Sequence, residues 1–182
     1  MGFFEDYLRK MRGATTTPPR VSACEIVWSW IGAFLGISAV GYLNYILLDR
    51  SDLNMMLGSF GASAVLVYGA IKSPLAQPRN LVGGHVLSAF IGVASYQLFH
   101  SYLWMAAAMA VATAIALMHV TRTLHPPGGA TALIAVIGGE KIHSLGFLYP
   151  IVPAGLGAVV MLAVALLVNN IPKTRKYPEF WI

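Results

Sequence analysis

The sequence predicts an all-α polytopic membrane protein, with about six transmembrane segments arranged as a 3+3 inverted repeat and two of the helices short or broken. Three observations predict it. Of the 182 residues, 57% are hydrophobic and only 10% are charged, against about 25% charged in a soluble globular domain. The apolar residues fall into long runs, and the charges gather at the ends of those runs. Two of the runs also match each other in residue character at an offset of 68 positions. A spanning helix takes about 20 apolar residues, so this length holds about six and leaves nothing for a soluble catalytic domain. The net charge of +5 reflects topology signals rather than a nucleic-acid surface, because the basic residues sit at chain ends and between spans. Cys24 is the one cysteine, so no intrachain disulfide is expected.

Residues 1–22 form a basic N-terminal segment. Phe3, Phe4, Tyr7, Leu8 and Met11 recur at helical spacing opposite Glu5, Arg9, Lys10 and Arg12, which predicts either a short helix in the headgroup layer or a disordered basic tail. Glu5 and Asp6 interrupt any signal-peptide pattern, and Asp6 stands where a myristoylation signal needs Ser or Thr. Pro18 and Pro19 stiffen a polar linker into the first span.

The transmembrane domain is expected over residues 23–170, with repeat one at 23–100, repeat two at 101–170 and a cytoplasmic tail at 171–182. Its six segments are 25–48, 55–71, 81–99, 103–120, 126–139 and 147–168. With the N-terminus in the cytoplasm, six crossings place Arg9, Lys10, Arg12, Arg20, Lys72, Arg79, Arg122, Lys173, Arg175 and Lys176 inside. Only Arg50 and Lys141 then fall outside, an asymmetry that five crossings would scramble. Trp28, Trp30, Tyr42, Tyr45, Trp104, Tyr149 and Trp181 lie near segment ends, as interfacial anchors or as packing residues. The expected location is the inner membrane of a bacterium, with both termini cytoplasmic.

The second and fifth segments are unusual. Gly58, Gly61 and Gly69 interrupt the second. The fifth has only about 14 residues, or about 21 Å of helix, against a hydrocarbon core of about 30 Å. It opens with His125-Pro126-Pro127-Gly128-Gly129; each proline pushes its predecessor toward extended geometry, so a regular helix is expected to begin only near residues 127–130. The same two segments carry the repeat, with 61–66 (GASAVL) matching 129–134 (GATALI). Three segments per copy is an odd number, so the second copy would enter the membrane from the opposite side. The alternative is that such small-residue runs are ordinary packing in membrane helices.

Short helices that start near mid-depth turn unpaired N–H groups and a positive dipole end inward, which suits a small anion. No acidic residue stands in the middle of a span, since Glu25, Asp49, Asp52 and Glu140 all lie at ends. The candidate substrate-binding residues are Ser59, Gly61 and Ser63 from the second segment and His125, Gly128, Gly129 and Thr131 from the fifth. Each hydroxyl has the alternative of bonding back to its own helix. His125 either contacts an anion, or couples its transport to a proton, or caps its own broken backbone. His85 faces the same cavity or packs through a hydrogen bond, while His100 and His143 fall in loops. A vestibule is expected from Arg79, His85, His119 and Arg122, or these residues reach to the headgroups. No metal-ligand spacing, nucleophile triad or phosphate loop is present in the sequence, so neither a metal, a cofactor nor enzymatic activity is expected.

The run 125–133 (HPPGGATAL), together with 58–64 (GSFGASA) and 73–80 (SPLAQPRN), resembles the HPP family of integral membrane proteins. The resemblance extends over roughly residues 28–168. Members of that family are associated with nitrite transport, so the resemblance implies a transporter or channel for a small inorganic anion, nitrite first. The alternatives are an aquaporin-like pore for a neutral solute such as water or ammonia, and a non-transporting membrane scaffold. The expected partners are the anion, membrane lipid and a second copy of the chain, a dimer being favoured; no nucleic acid is expected. Gly32 and Gly36, the stripe Gly84, Ser88 and Gly92, and the alanines of 106–116 are faces for close helix approach, within the chain by default.

Overall fold

The computed structural model describes residues 3–11, 15–47 and 53–182; Arg12, Arg50, Asp49, Asp52 and the expected end of the first span at 48 lie outside them. Among the described residues every regular element is helical. Helix α1 is Phe3–Lys10, with Arg9 paired to Asp6 one turn away. Helix α2 is Ala23–Leu47 and α3 is Leu53–Ala64, which continues as a wider π-type stretch, Val65–Gly69. A short 3-10 turn, Pro74–Ala76, leads into α4, Pro78–Phe99. Helix α5 is Leu103–Val120, α6 is Pro126–Ile137, α7 is Gly139–Leu145, and α8 is Leu156–Val168 after an irregular approach over Pro150–Gly155.

Among the described residues four helices are long and apolar enough to cross a membrane: Ala23–Ile46, Pro78–Phe99, Leu103–Val120 and Pro150–Val168. A fifth crossing exists if Pro126–Ile137 and Gly139–Leu148, bent by 102°, are taken together. The second expected segment contributes only the shorter apolar stretch Gly58–Gly69. Among the described residues this gives four or five candidate spans by length and composition, where the sequence reading expected six.

Local chemistry explains where the helices start and stop. Proline at N1 is tolerated because the N–H it lacks has no intrahelical partner there. Both α4 and α6 begin this way, behind Gln77 and His125 in extended geometry. Helix α6 thus starts at Pro126 itself, slightly earlier than expected. It ends at Gly138, and Gly139 at φ +79° makes the turn into α7. His143, expected in a loop, lies on α7 and stacks on Tyr96 of α4 with ring centroids 3.7 Å apart. Gly58 and Gly61 do not break the second segment: α3 runs through both, widens to the π-type stretch at Val65, and helical geometry ends at Ala70 (φ −130°, ψ 51°) after Gly69. A third irregularity was not expected. Val152 (φ −132°, ψ 120°) interrupts the last span beside Pro150 and Pro153, and a proline inside a helix removes a hydrogen bond and clashes with the preceding turn.

Helices α4, α5 and α6 pack most closely. Ala106, Ala110 and Ala114 put small side chains at every fourth position of α5, and they share a buried cluster with Met118, Ala132 and Val136. The Gly84, Ser88 and Gly92 stripe of α4 faces α6, where a Cβ on Gly92 would lie 2.5 Å from the Ala132 carbonyl oxygen. Gly32 and Gly36 of α2 are covered by the ring of Tyr68, whose hydroxyl donates to the Met161 carbonyl at 3.1 Å. Both stripes are therefore filled from within the chain. Gly92→Ala is expected to force α4 and α6 apart and cost about 1–3 kcal/mol, read as a lower thermal midpoint in detergent. Gly58→Ala, with nothing within 4 Å of the added methyl, should be neutral or stabilising; equal losses in the two variants would contradict this packing.

One end of the bundle is tied together by polar contacts. Arg79 Nη2 donates to the Thr121 carbonyl at 2.6 Å and Asn80 Nδ2 to the Leu124 carbonyl at 2.8 Å, joining the start of α4 to the end of α5. The C-terminal tail folds back onto the same end. Arg175, with its side chain 1% exposed, pairs with Glu25 at 2.9 Å and also donates to the carbonyls of Glu25 and Tyr68 and to Ser29 and Asn169. Tyr177 donates its hydroxyl to the Ala76 carbonyl at 2.7 Å, and the Glu179 amide donates to Gln77 Oε1 at 2.8 Å.

Candidate functional site

Ser59 and Ser63 are one helical turn apart and so project from the same face of α3; both are completely buried. Opposite them, Thr131 lies one turn into α6 and His125 stands at its N-cap. His85 of α4 enters between the two helices. All five side chains are 0% exposed, so no water-sized space touches them.

The five groups form one hydrogen-bonded chain. Ser59 Oγ lies 2.6 Å from Thr131 Oγ1 and 2.9 Å from the Pro127 carbonyl. Thr131 Oγ1 lies 2.7 Å from His85 Nδ1. His85 Nε2 lies 2.7 Å from Ser63 Oγ, which in turn lies 2.8 Å from His125 Nε2. The far nitrogen of His125, Nδ1, donates to the Leu75 carbonyl at 2.8 Å. The imidazoles of His85 and His125 are 5.0 Å apart between centroids, and Phe60 covers His85 at 4.9 Å. No Asp, Glu, Lys or Arg side chain joins the chain among the described residues.

His85 thus bridges Ser63 and Thr131, which occupy matching places in GASA and GATA. The two hydroxyls also share a second bond: each reaches the carbonyl four residues back, Ser63 to Ser59 at 3.4 Å and Thr131 to Pro127 at 3.3 Å. Tyr149 supports the α6 side by donating to the Thr131 carbonyl at 3.0 Å.

The remaining expected site residues are placed differently. Gly128 is a packing position, since a Cβ there would lie 2.7 Å from Ser88 Oγ and 2.9 Å from the Gly84 carbonyl. Gly61 and Gly129 are half-buried and outside the hydrogen-bonded chain. Gly61 instead lines a lateral groove with Trp30, Ala33 and Ile37. His85, read either as facing the cavity, as packing through a hydrogen bond or as part of the vestibule, is in the interior and hydrogen-bonded. His119 and Arg122 are exposed at the end of α5, Arg122 in left-handed geometry at φ 57°, and Arg79 is engaged with the Thr121 carbonyl.

The amide-end chemistry expected of two helix N-termini is also corrected. Ser59 and Ser63 lie within α3, which starts at Leu53. At α6, Pro126 and Pro127 have no N–H, and the Gly128 amide donates to the His125 carbonyl at 2.8 Å. The polar groups that meet here are hydroxyls and imidazoles.

The SPLAQPRN run supports this arrangement in a way the sequence did not disclose. Ser73 accepts from the Leu75 amide at 3.2 Å, and Gln77 Nε2 donates to the carbonyls of Ile71 and Ser73 at 3.0 and 2.8 Å. These bonds fold the turn that aims the Leu75 carbonyl at His125. Asn80 holds the Leu124 carbonyl, next to His125, from the other side. The signal available in the sequence was the run of turn-forming and amide residues between two prolines, but turn formation does not name the group that the turn presents.

Known proteins place the chain in context. Two Dictyostelium discoideum proteins described as transmembrane proteins are similar to it. One is 46% identical over 182 aligned residues, covering 98% of this chain and 58% of that protein. The other is 44% identical over 172 residues, covering 93% of this chain and 60% of its own length. The chain therefore spans about three-fifths of the relatives it matches. No solved structure matches it. The family model described as the HPP transmembrane region matches residues 18–178, which takes in every component of the buried polar chain. With its apolar helices, this is an integral membrane protein, and it belongs to the HPP family.

Proposed function

We propose that this protein carries a small monovalent oxyanion, nitrite foremost, across the membrane, and that the buried Ser59, Ser63, His85, His125 and Thr131 cluster is where the anion binds. The single observation behind this reading is the set of five hydroxyl and imidazole groups at 0% exposure, on elements that include the short α3 and the proline-started α6. Donors of this kind bind an oxyanion without the tight hold of a fixed cation, and no carboxylate is there to repel it.

The cluster is closed, with each donor spent on another cluster atom or a carbonyl. An anion therefore enters only when α3 and α6 separate, which favours a carrier over an open channel. That motion parts the matched GASA and GATA stretches of α3 and α6. The support for that match is the paired role of Ser63 and Thr131 on the two nitrogens of one imidazole. The basic residues Lys72, Arg79, Arg122, Lys173, Arg175 and Lys176 lie at or near the end closed by the tail, and we assign this end to the cytoplasm.

Uptake into proteoliposomes tests the reading. Saturable nitrite entry, with competition from another small oxyanion, is expected. Rapid water or ammonia flux without anion movement would favour the neutral-solute pore, and a folded protein that moves none of them would remove the transport reading.

A further inference from the structure

The hydrogen-bonded chain has a definite polarity, and this carries an inference that rests on the transport reading and deepens it. A carbonyl only accepts, so the Leu75 carbonyl fixes a proton on His125 Nδ1. If that ring is neutral, its Nε2 accepts from the Ser63 hydroxyl. Ser63 Oγ then accepts from His85 Nε2–H, which leaves His85 Nδ1 to accept from Thr131 and Thr131 to accept from Ser59. Along this chain the bonds all point from Ser59 toward Leu75, with the single Ser59 proton turned from the Pro127 carbonyl to Thr131. The two rings must be opposite tautomers, His85 protonated at Nε2 and His125 at Nδ1.

The same heavy-atom positions accept one more proton without leaving a donor unpaired. With the charge on His85, its Nδ1–H donates to Thr131, whose proton turns toward Ser59 Oγ, 2.6 Å away, and Ser59 donates to the Pro127 carbonyl at 2.9 Å. The charge then moves in one concerted step: His85 Nε2–H passes its proton to Ser63 Oγ as the Ser63 proton passes to His125 Nε2. One proton leaves His85, one arrives on His125, and Ser63 is unchanged. The Pro127 carbonyl, whose oxygen has two lone pairs, is the acceptor that makes the second arrangement complete.

We propose that His85, Ser63 and His125 form a proton relay that holds one shared proton, and that this proton travels with the transported anion. A monovalent anion in a low-dielectric site needs an opposite charge, and no fixed cation is built into this one. The other titratable group facing the pair is Tyr149, through the Thr131 carbonyl. Farther out are Arg79, His119 and Arg122 at the ends of α4 and α5 and Tyr177 on the Ala76 carbonyl.

Two measurements on the full chain test this. Nitrogen NMR of isotope-labelled histidines in lipid should show opposite tautomers for the two rings and uptake of one proton by the pair as pH falls. In Ser63→Ala the rings should titrate independently. Matching tautomers, or titration unaffected by Ser63→Ala, overturns the relay. In proteoliposomes with an entrapped pH dye, corrected for protein-free vesicles, nitrite entry should acidify the lumen by one proton per anion and speed up as the outside pH is lowered. Nitrite entry carrying current without protons overturns the coupling. No nitrite entry at all sinks the transport reading instead, and the tautomer measurement then decides the relay by itself. Ser63→Thr, which keeps the hydroxyl, should retain both signatures if Ser63→Ala folds poorly.

Discussion

Arg175→Ala is expected to lower stability by about 3 kcal/mol, the lower end of the range for breaking a buried ion pair. The guanidinium is 1% exposed, whereas Glu25 keeps 32% of its side chain accessible, so the carboxylate left behind is partly solvated. Most of the loss comes from the carbonyls of Glu25 and Tyr68 and the side chains of Ser29 and Asn169, which lose their donor together. The consequence reaches the site. The tail beyond Arg175 holds Ala76 and Gln77 through Tyr177 and Glu179, and that turn aims the Leu75 carbonyl at His125. A lower thermal midpoint and faster proteolysis of the tail check this, and an unchanged midpoint would contradict this role of Arg175. Arg175→Lys should rescue only part of the loss, because one ammonium cannot reach acceptors spread around a planar fork.

His85→Leu should have the largest effect on transport, a loss of about 100-fold with a modest change in stability. Its removal costs Ser63 and Thr131 one bond each, at about 1–3 kcal/mol per group left short. Both hydroxyls keep other partners: His125 and the Ser59 carbonyl for Ser63, and Ser59 and the Pro127 carbonyl for Thr131. The leucine packs under Phe60, where the imidazole lies now. Transport, by contrast, loses the one ring shared by α3 and α6. Initial nitrite uptake and the thermal midpoint, measured on the same preparation, separate the two effects. A variant with full uptake would place the anion path elsewhere.

The sequence disclosed part of this. The hydrophobic runs located α2, α4 and α5 closely because a spanning helix must satisfy its own backbone in lipid, and long apolar runs betray it. The short elements were harder to read. A glycine in a membrane helix marks either a break or a close approach, and at Gly58 and Gly61 α3 simply continues. Pro150 and Pro153 did mark a break, but they were masked by the hydrophobicity around them. Ser59, Ser63, Thr131 and His125 were legible as a group because the two similar segments pointed at one another. His85 was read both as a cavity or hydrogen-bonded packing residue and as part of the vestibule; its partners are 22 and 46 positions away, and a linear pattern carries no such register to choose between them. The tail was read only as a run of cytoplasmic charge, since nothing in Lys173-Thr174-Arg175-Lys176 distinguishes the one buried cation from its solvated neighbours.

Nitrite flux into proteoliposomes, compared between the parent chain and His85→Leu at matched thermal stability, decides whether the buried cluster is the anion path. Saturable entry in the parent and entry no faster than protein-free vesicles in the variant is the expected outcome. Equal flux through both proteins would show that the hydroxyls and imidazoles between α3, α4 and α6 are only packing.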